Sequence, residues 1–167
     1  MKVSEIIKIG SNLLKEKNIS TYILDSEILM SKTMSKSREE ILINFDKDLN
    51  KKNILKFNKY LVRRLKSEPI AYILEEKEFW SKKFYVNKDT LIPRPETELL
   101  VEKLAKIFKD KKIFILDIGT GSGCIIISLL SCLNKSTGIA LDISKKAIDV
   151  AKENAKRHQL IDKIKFL

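Results

Sequence analysis

Ile113-Phe114-Ile115-Leu116-Asp117-Ile118-Gly119-Thr120-Gly121-Ser122-Gly123 is the stretch whose reading decides the fold. Its first six residues are almost continuously apolar, which predicts a strand of a parallel sheet covered on both faces. Three alternating glycines then turn the chain ahead of a buried helix predicted from Cys124 to Leu133. Glycines allow a tight turn and close backbone approach to a ligand, and a helix start presents free N–H groups. The spacing is Gly-x-Gly-x-Gly, not the Gly-x-Gly-x-x-Gly of dinucleotide enzymes. The next strand, Ile139-Ala140-Leu141-Asp142, ends on an acid nineteen residues beyond Gly123. From that position a carboxylate accepts hydrogen bonds from both hydroxyls of a ribose. Asp117, Gly119 to Gly123 and Asp142 together describe a nucleoside-binding crevice at the carboxyl ends of parallel strands. A plain strand–helix turn accounts for the glycines but not for Asp142. The loop alone leaves NAD, a nucleotide and S-adenosylmethionine open.

Downstream, Ser144 is placed to cap a helix with Ile148, Ala151 and Ala155 inward, and Ile164-Lys165-Phe166-Leu167 begins a third strand. Two and a half strands cannot bury their own faces, so the catalytic domain reads as cut short. His158, the only histidine, falls near the inner face of that helix with no nucleophile pattern around it, and packing is the expectation.

Upstream, Leu91-Ile92-Pro93-Arg94-Pro95 is held extended by its two prolines. Pro95 suits a first helical position, with Glu96 and Glu98 at the positive helix end and Leu100, Leu104, Ile107 and Phe108 inward. Before it, Ile70-Ala71-Tyr72-Ile73-Leu74 and Phe84-Tyr85-Val86 read as strands, with a turn at Ser81-Lys82-Lys83. Phe79, Trp80, Phe84 and Tyr85 either stack on a base or, more commonly, close a small core under a hairpin.

Residues 1–68 read as about four helices. Val3, Ile6, Leu13 and Leu14 mark one stripe, and Ile23, Leu24, Ile28 and Leu29 a second. Ser37-Arg38-Glu39-Glu40 has capping-box spacing. Asn50 is placed to cap a helix whose inner face is Ile54, Phe57, Leu61 and Leu65, and which Pro69 stops.

The 167 residues are 44% hydrophobic and 33% charged, the balance of a globular chain. No run approaches the roughly 20 apolar residues of a membrane helix. The start, Met1-Lys2-Val3-Ser4-Glu5, shows no signal-peptide core, so a cytoplasmic protein without membrane contact is expected. The net charge of +11 is spread evenly: residues 1–75 hold 15 basic against 10 acidic side chains, the rest 18 against 12. Without a basic block, a solvated lysine-rich surface outweighs a nucleic-acid patch. Cys124 and Cys132, about 12 Å apart on a helix, cannot bridge. No Cys-x-x-Cys offers a zinc or redox site, so both are expected to be buried packing residues.

Three segments carry a resemblance. Asp117 with Gly119-Thr120-Gly121-Ser122-Gly123 resembles the first signature of class I methyltransferases. Glu68-Pro69-Ile70-Ala71-Tyr72-Ile73 with Glu78-Phe79-Trp80, and above all Ile92-Pro93-Arg94-Pro95-Glu96-Thr97-Glu98, resemble the release-factor glutamine methyltransferases, the PrmC or HemK family. The helical front, with Asp25-Ser26-Glu27-Ile28-Leu29 and Arg38-Glu39-Glu40-Ile41-Leu42, is similar as well. The resemblance implies an α plus α/β architecture. A helical release-factor-binding domain would span residues 1–69, a hairpin linker 70–95, and an incomplete Rossmann-like domain 96–167. It implies methyl transfer from S-adenosyl-L-methionine to the glutamine of a Gly-Gly-Gln loop in peptide chain release factors, by a monomer. Gly119 to Gly123 would cradle the methionine end of the cofactor and Asp142 its ribose. Pro93, Arg94 and Pro95 would line the site's mouth, unless Arg94 instead clamps Glu96 or Glu98. Two departures stand out: Glu75 replaces a glycine usual in the family, and the family's Asn-Pro-Pro-Tyr tetrapeptide is absent. The 167 residues alone are therefore expected to be inactive. A nucleic-acid amino-group methyltransferase and a non-catalytic remnant are the competing readings.

Overall fold

A computed structural model describes all residues, Met1–Leu167, in two compact units, Met1–Leu74 and Glu75–Leu167. The first unit holds helices α1 (Val3–Glu16), α2 (Tyr22–Met34), α3 (Arg38–Ile43), α4 (Lys51–Leu65) and α5 (Ile70–Leu74). The caps fall where the sequence places them. The Ser37 hydroxyl accepts from Glu40 N–H at 3.2 Å while the Glu40 carboxylate accepts from Ser37 N–H, and Asn50 accepts from Asn53 N–H at 2.8 Å. Val3, Ile6, Ile7 and Leu14 of α1 pack with Phe57 and Leu61 of α4, Ile41 of α3 and Ile73 of α5.

Several expectations for this unit are corrected. Residues 1–68 hold the four helices expected, but Ile70–Leu74 is a fifth, short helix and not a strand. Helix α4 ends at Leu65, where Lys66 caps it and Ser67 turns left-handed at φ +63, before Pro69 is reached. Pro69 starts the next helix, its carbonyl accepting from Tyr72 and Ile73 N–H. A five-residue apolar run carries no period that separates strand from helix, and here Ile73 is needed in the helical core. Leu13 is exposed, because Ile7 and Gly10 fill the contact face of α1. On α2, Ile23 and Leu24 are exposed, and the buried face includes Asp25, Ser26 and Glu27. Polar partners make that burial tolerable: Arg64 reaches Asp25 at 2.7 Å, Arg38 reaches Glu27 at 2.6 Å, and the Ser26 hydroxyl donates to Ile7 C=O at 2.8 Å.

The second unit opens with an antiparallel hairpin of β1 (Lys77–Phe79) and β2 (Lys82–Phe84). Its two-residue turn is Trp80-Ser81, both at positive φ, not Ser81-Lys82-Lys83. Positive φ at both turn residues matches the twist of the flanking strands, a geometry that Asn-Gly would have announced and Trp-Ser does not. Phe79 and Phe84 meet edge to face at 6.1 Å and are buried against α7 (Cys124–Cys132), so they serve packing rather than stacking on a base. A 3₁₀ turn at Pro95–Thr97 leads into α6 (Glu98–Ile107). Val101 is the buried residue of α6, while Leu100 and Ile107 are exposed, contrary to the face read from sequence.

Strands β3 (Phe114–Ile118), β4 (Thr137–Leu141) and β5 (Ile164–Phe166) form a parallel sheet in the order β3-β4-β5. Helix α7 and helix α8 (Lys145–Arg157) pack Ile126, Ile127, Leu130 and Ala155 against Ile115, Ala140 and Ile164. That covers one face only. Phe114, Leu116 and Ile118 on the other face are 66%, 54% and 72% exposed, so β3 is apolar on both faces but covered on one. Cys124 is buried, whereas Cys132, at the end of α7, is exposed and receives the Trp80 indole N–H at 3.4 Å. No helix is long and apolar enough to cross a membrane.

Candidate functional site

The glycine loop leaves β3 at Ile118 and is fastened to the end of β4. Gly119 and Thr120 N–H both donate to the Leu141 carbonyl, at 2.9 and 3.0 Å. Gly121 N–H donates to the Asp142 carboxylate at 3.0 Å, and Gly123 N–H turns back to the Thr120 carbonyl at 2.8 Å. Parallel pairing in register, Ile118 beside Leu141, delivers Asp142 to the loop. Asp142 uses its second oxygen for Ser144 N–H at 2.9 Å, and the Ser144 hydroxyl in turn accepts from Ala147 N–H to start α8. Each carboxylate oxygen keeps a free lone pair.

Gly119, Gly121 and Gly123 all have positive φ. A Cβ placed on Gly119 or Gly121 meets nothing within 4 Å, so the backbone there borders open space and a ligand can approach it. Gly123 differs: its Cβ would lie 2.9 Å from Ile127 Cδ1 and 3.2 Å from Ala151 Cβ, so this glycine serves close packing of the loop on α7 and α8. Thr120 and Ser122 are buried. Asp117 accepts the Thr120 hydroxyl at 2.7 Å. Burial, with Asp142 nearby as a further cause, pushes the Asp117 carboxyl above the usual carboxylate range, against the Thr120 bond that lowers it.

The structure thus brings together Asp117, the five loop residues and Asp142. Pro93 is buried, Arg94 and Pro95 are exposed, and no hydrogen bond ties these three side chains to the loop. Arg94 makes no ion pair with Glu96 or Glu98; the Glu98 carboxylate instead accepts from Trp80 N–H at 3.0 Å. His158 packs, as expected: its ring lies 4.9 Å from Phe84 and Nε2 is 3.0 Å from the Lys83 carbonyl. Burial lowers its basicity below the usual histidine value. One residue escaped the sequence reading. Asn154, fully buried on α8, contacts both Ser122 and Tyr85. Its only signal was a polar residue on the stripe formed by Ala151 and Ala155.

A strand–glycine loop–helix unit followed by a parallel strand ending on an acid is a Rossmann-like arrangement, and a methyltransferase domain family matches residues 109–167. The PrmC N-terminal domain family matches residues 5–74. The chain is 38% identical over 190 residues to a bifunctional methyltransferase of Rickettsia conorii, covering 99% of this chain and 36% of that protein. It is 44% identical over 138 residues to the release factor glutamine methyltransferase of Coxiella burnetii, covering 82% and 50%. With the enzyme of the same name from Leptospira interrogans, identity is 41% over 153 residues, covering 90% and 53%. The front of the chain thus matches the PrmC N-terminal domain family and its back a methyltransferase domain family, and the chain spans about a third to a half of the length of these relatives.

Proposed function

We propose that this chain supplies the helical front and the cofactor crevice of a release-factor glutamine methyltransferase. The observation that carries the reading is the joining of Asp142 to the glycine loop at the ends of β3 and β4, with open space over Gly119 and Gly121. The names of two relatives give release factors as the substrate and glutamine as the methylated residue; the resemblance read from the sequence adds the side-chain nitrogen and the Gly-Gly-Gln loop. In this reading residues 1–74 hold the release factor, residues 75–95 link, and residues 96–167 bind S-adenosyl-L-methionine, the first boundary moving from 69 to 74 because α5 belongs to the helical unit.

The cofactor brings a methyl group on a sulfonium, already a strong electrophile, so the protein's part is orientation and exclusion of water. The Gly119–Gly123 backbone would hold the methionine end, and the free lone pairs of Asp142 would accept from the ribose hydroxyls. Asp117 would fix the loop through Thr120. Pro93, Arg94 and Pro95 would face the protein substrate. An amide nitrogen is a poor nucleophile, and these 167 residues contain no Asn-Pro-Pro-Tyr to place it. They are therefore expected to bind cofactor without transferring the methyl group.

Isothermal calorimetry with S-adenosylhomocysteine, run beside a transfer assay on a release factor, tests both halves. Binding without transfer is the expected result. Failure to bind the cofactor product, or preferential binding of NAD, overturns the crevice reading; methylation by the chain alone overturns the expected inactivity.

A further inference from the structure

Asn154 is fully buried in α8, and every polar atom of its side chain is engaged. Oδ1 accepts from Tyr85 N–H at 2.7 Å, and Nδ2 donates to the Tyr85 carbonyl at 2.9 Å. The amide therefore pairs with Tyr85 in both directions, as a neighbouring strand residue would. Its remaining N–H goes to the Ser122 carbonyl at 2.9 Å, between the second and third glycines of the loop. The carboxamide is planar, so these three bonds cannot shift independently. Packing alone does not require this arrangement: an apolar side chain here would orphan three backbone groups. Tyr85 opens the segment that continues through buried Val86 and the turn at Asn87–Thr90 toward Pro93.

We propose that Asn154 is a positioning residue that couples occupancy of the Gly119–Gly123 loop to the backbone of residues 85–91. This rests on the reading of that loop as the cofactor cradle. A ligand that shifts or stiffens the Ser122 peptide acts on the rigid amide, and the amide acts on Tyr85. The order of the segment leading to the substrate-side prolines then follows the state of the cofactor loop.

Hydrogen exchange read by mass spectrometry on the 167-residue chain, with and without S-adenosylhomocysteine, tests the coupling. In the unsubstituted chain the ligand slows exchange at residues 119–123 and at 85–91 together. Asn154→Asp keeps the shape and the acceptor for Tyr85 N–H but loses both donors. In this variant the loop still responds, at an affinity weakened about tenfold, and residues 85–91 no longer do. Asn154→Ser, smaller and uncharged, gives the same separation should the buried carboxylate prevent folding. A response at 85–91 that still tracks the loop in either variant overturns the coupling. A response confined to the loop in the unsubstituted chain does the same while leaving the cofactor reading intact. No response at the loop overturns the cofactor reading and this inference with it.

Discussion

Glu75 has φ +58, one residue beyond the end of α5 at Leu74. That is the left-handed position at which helices favour glycine, because a Cβ there crowds the backbone at a cost of roughly 1–2 kcal/mol. The resemblance read from the sequence expects glycine at this position, and the Glu75 backbone has the conformation that glycine favours. Glu75→Gly should therefore stabilise the chain by about 1 kcal/mol, read as a higher urea midpoint; a lower midpoint would sink the account. Asp117 makes a pH-dependent claim. Its folded-state carboxyl titrates above the ordinary value, chiefly through burial. Below the ordinary carboxylate pKa it is neutral in both states and costs nothing. As pH rises from there through the raised folded value, the unfolded state loses its proton first, so stability falls and then levels. Compared with Asp117→Asn, which keeps an acceptor for Thr120, the parent should lose ground over that window in urea titrations. A gap that does not change with pH contradicts this. At Asp142, the Gly121 and Ser144 bonds are charge-assisted. Asp142→Asn should weaken S-adenosylhomocysteine binding roughly ten- to a hundredfold, with unchanged affinity in calorimetry as the contrary result.

At the scale of elements, α2 shows where the sequence could be read and where it could not. Its helical state is legible, but its orientation is not, since Ile23 and Leu24 look like the inner face and are exposed. What turns the helix is Asp25, whose side chain is 6% exposed and ion-paired with Arg64 from α4. A pair thirty-nine residues apart leaves no periodic trace. Removing one member strands a buried charge, so Arg64→Met should cost about 3–5 kcal/mol. Adding Asp25→Leu to Arg64→Met should recover most of that loss in the same urea experiment. A double variant no better than the single one would show that the pair is not the cause. The glycine loop lies at the opposite extreme. Its glycines, the preceding strand and Asp142 were all legible because local backbone demands and register along adjacent parallel strands fix them. The hairpin lies between: a hairpin exists, but its strands are Lys77–Phe79 and Lys82–Phe84, not Ile70–Leu74 and Phe84–Val86, and the Trp80-Ser81 turn uses positive φ without the residues that advertise it. Its turn is held by long-range bonds, Trp80 N–H to Glu98 and the indole N–H to Cys132.

For the molecule as a whole, the uncovered sheet face dominates. Phe114, Leu116 and Ile118 line it on β3, and an apolar groove of about 310 Å³ between α6, β3 and α7 is lined by Leu104, Phe108, Ile113, Phe114, Ile115, Leu129 and Leu133. Neither outer edge of the parallel sheet is paired, as β3 and β5 each have one neighbour. Contiguous apolar surface beside an unpaired strand edge is the combination that soluble monomers avoid. The expectation of a monomer therefore depends on that face being covered. The 167 residues on their own should bind a hydrophobic dye and grow in mass with concentration under light scattering. Phe114→Lys with Leu116→Lys should suppress both effects while leaving S-adenosylhomocysteine affinity within about twofold, because both side chains lie on the open sheet face short of the loop, and surface substitutions away from a site change free energies by about 0.5 kcal/mol or less. Both substitutions lie in the strand that leads into the glycine loop, so the affinity arm of the experiment also measures whether the loop is held by Leu141 and Asp142 rather than by that strand. A dye-silent monomer at every concentration would mean that the face is shielded in solution, and the apolar strand β3 would then need another explanation.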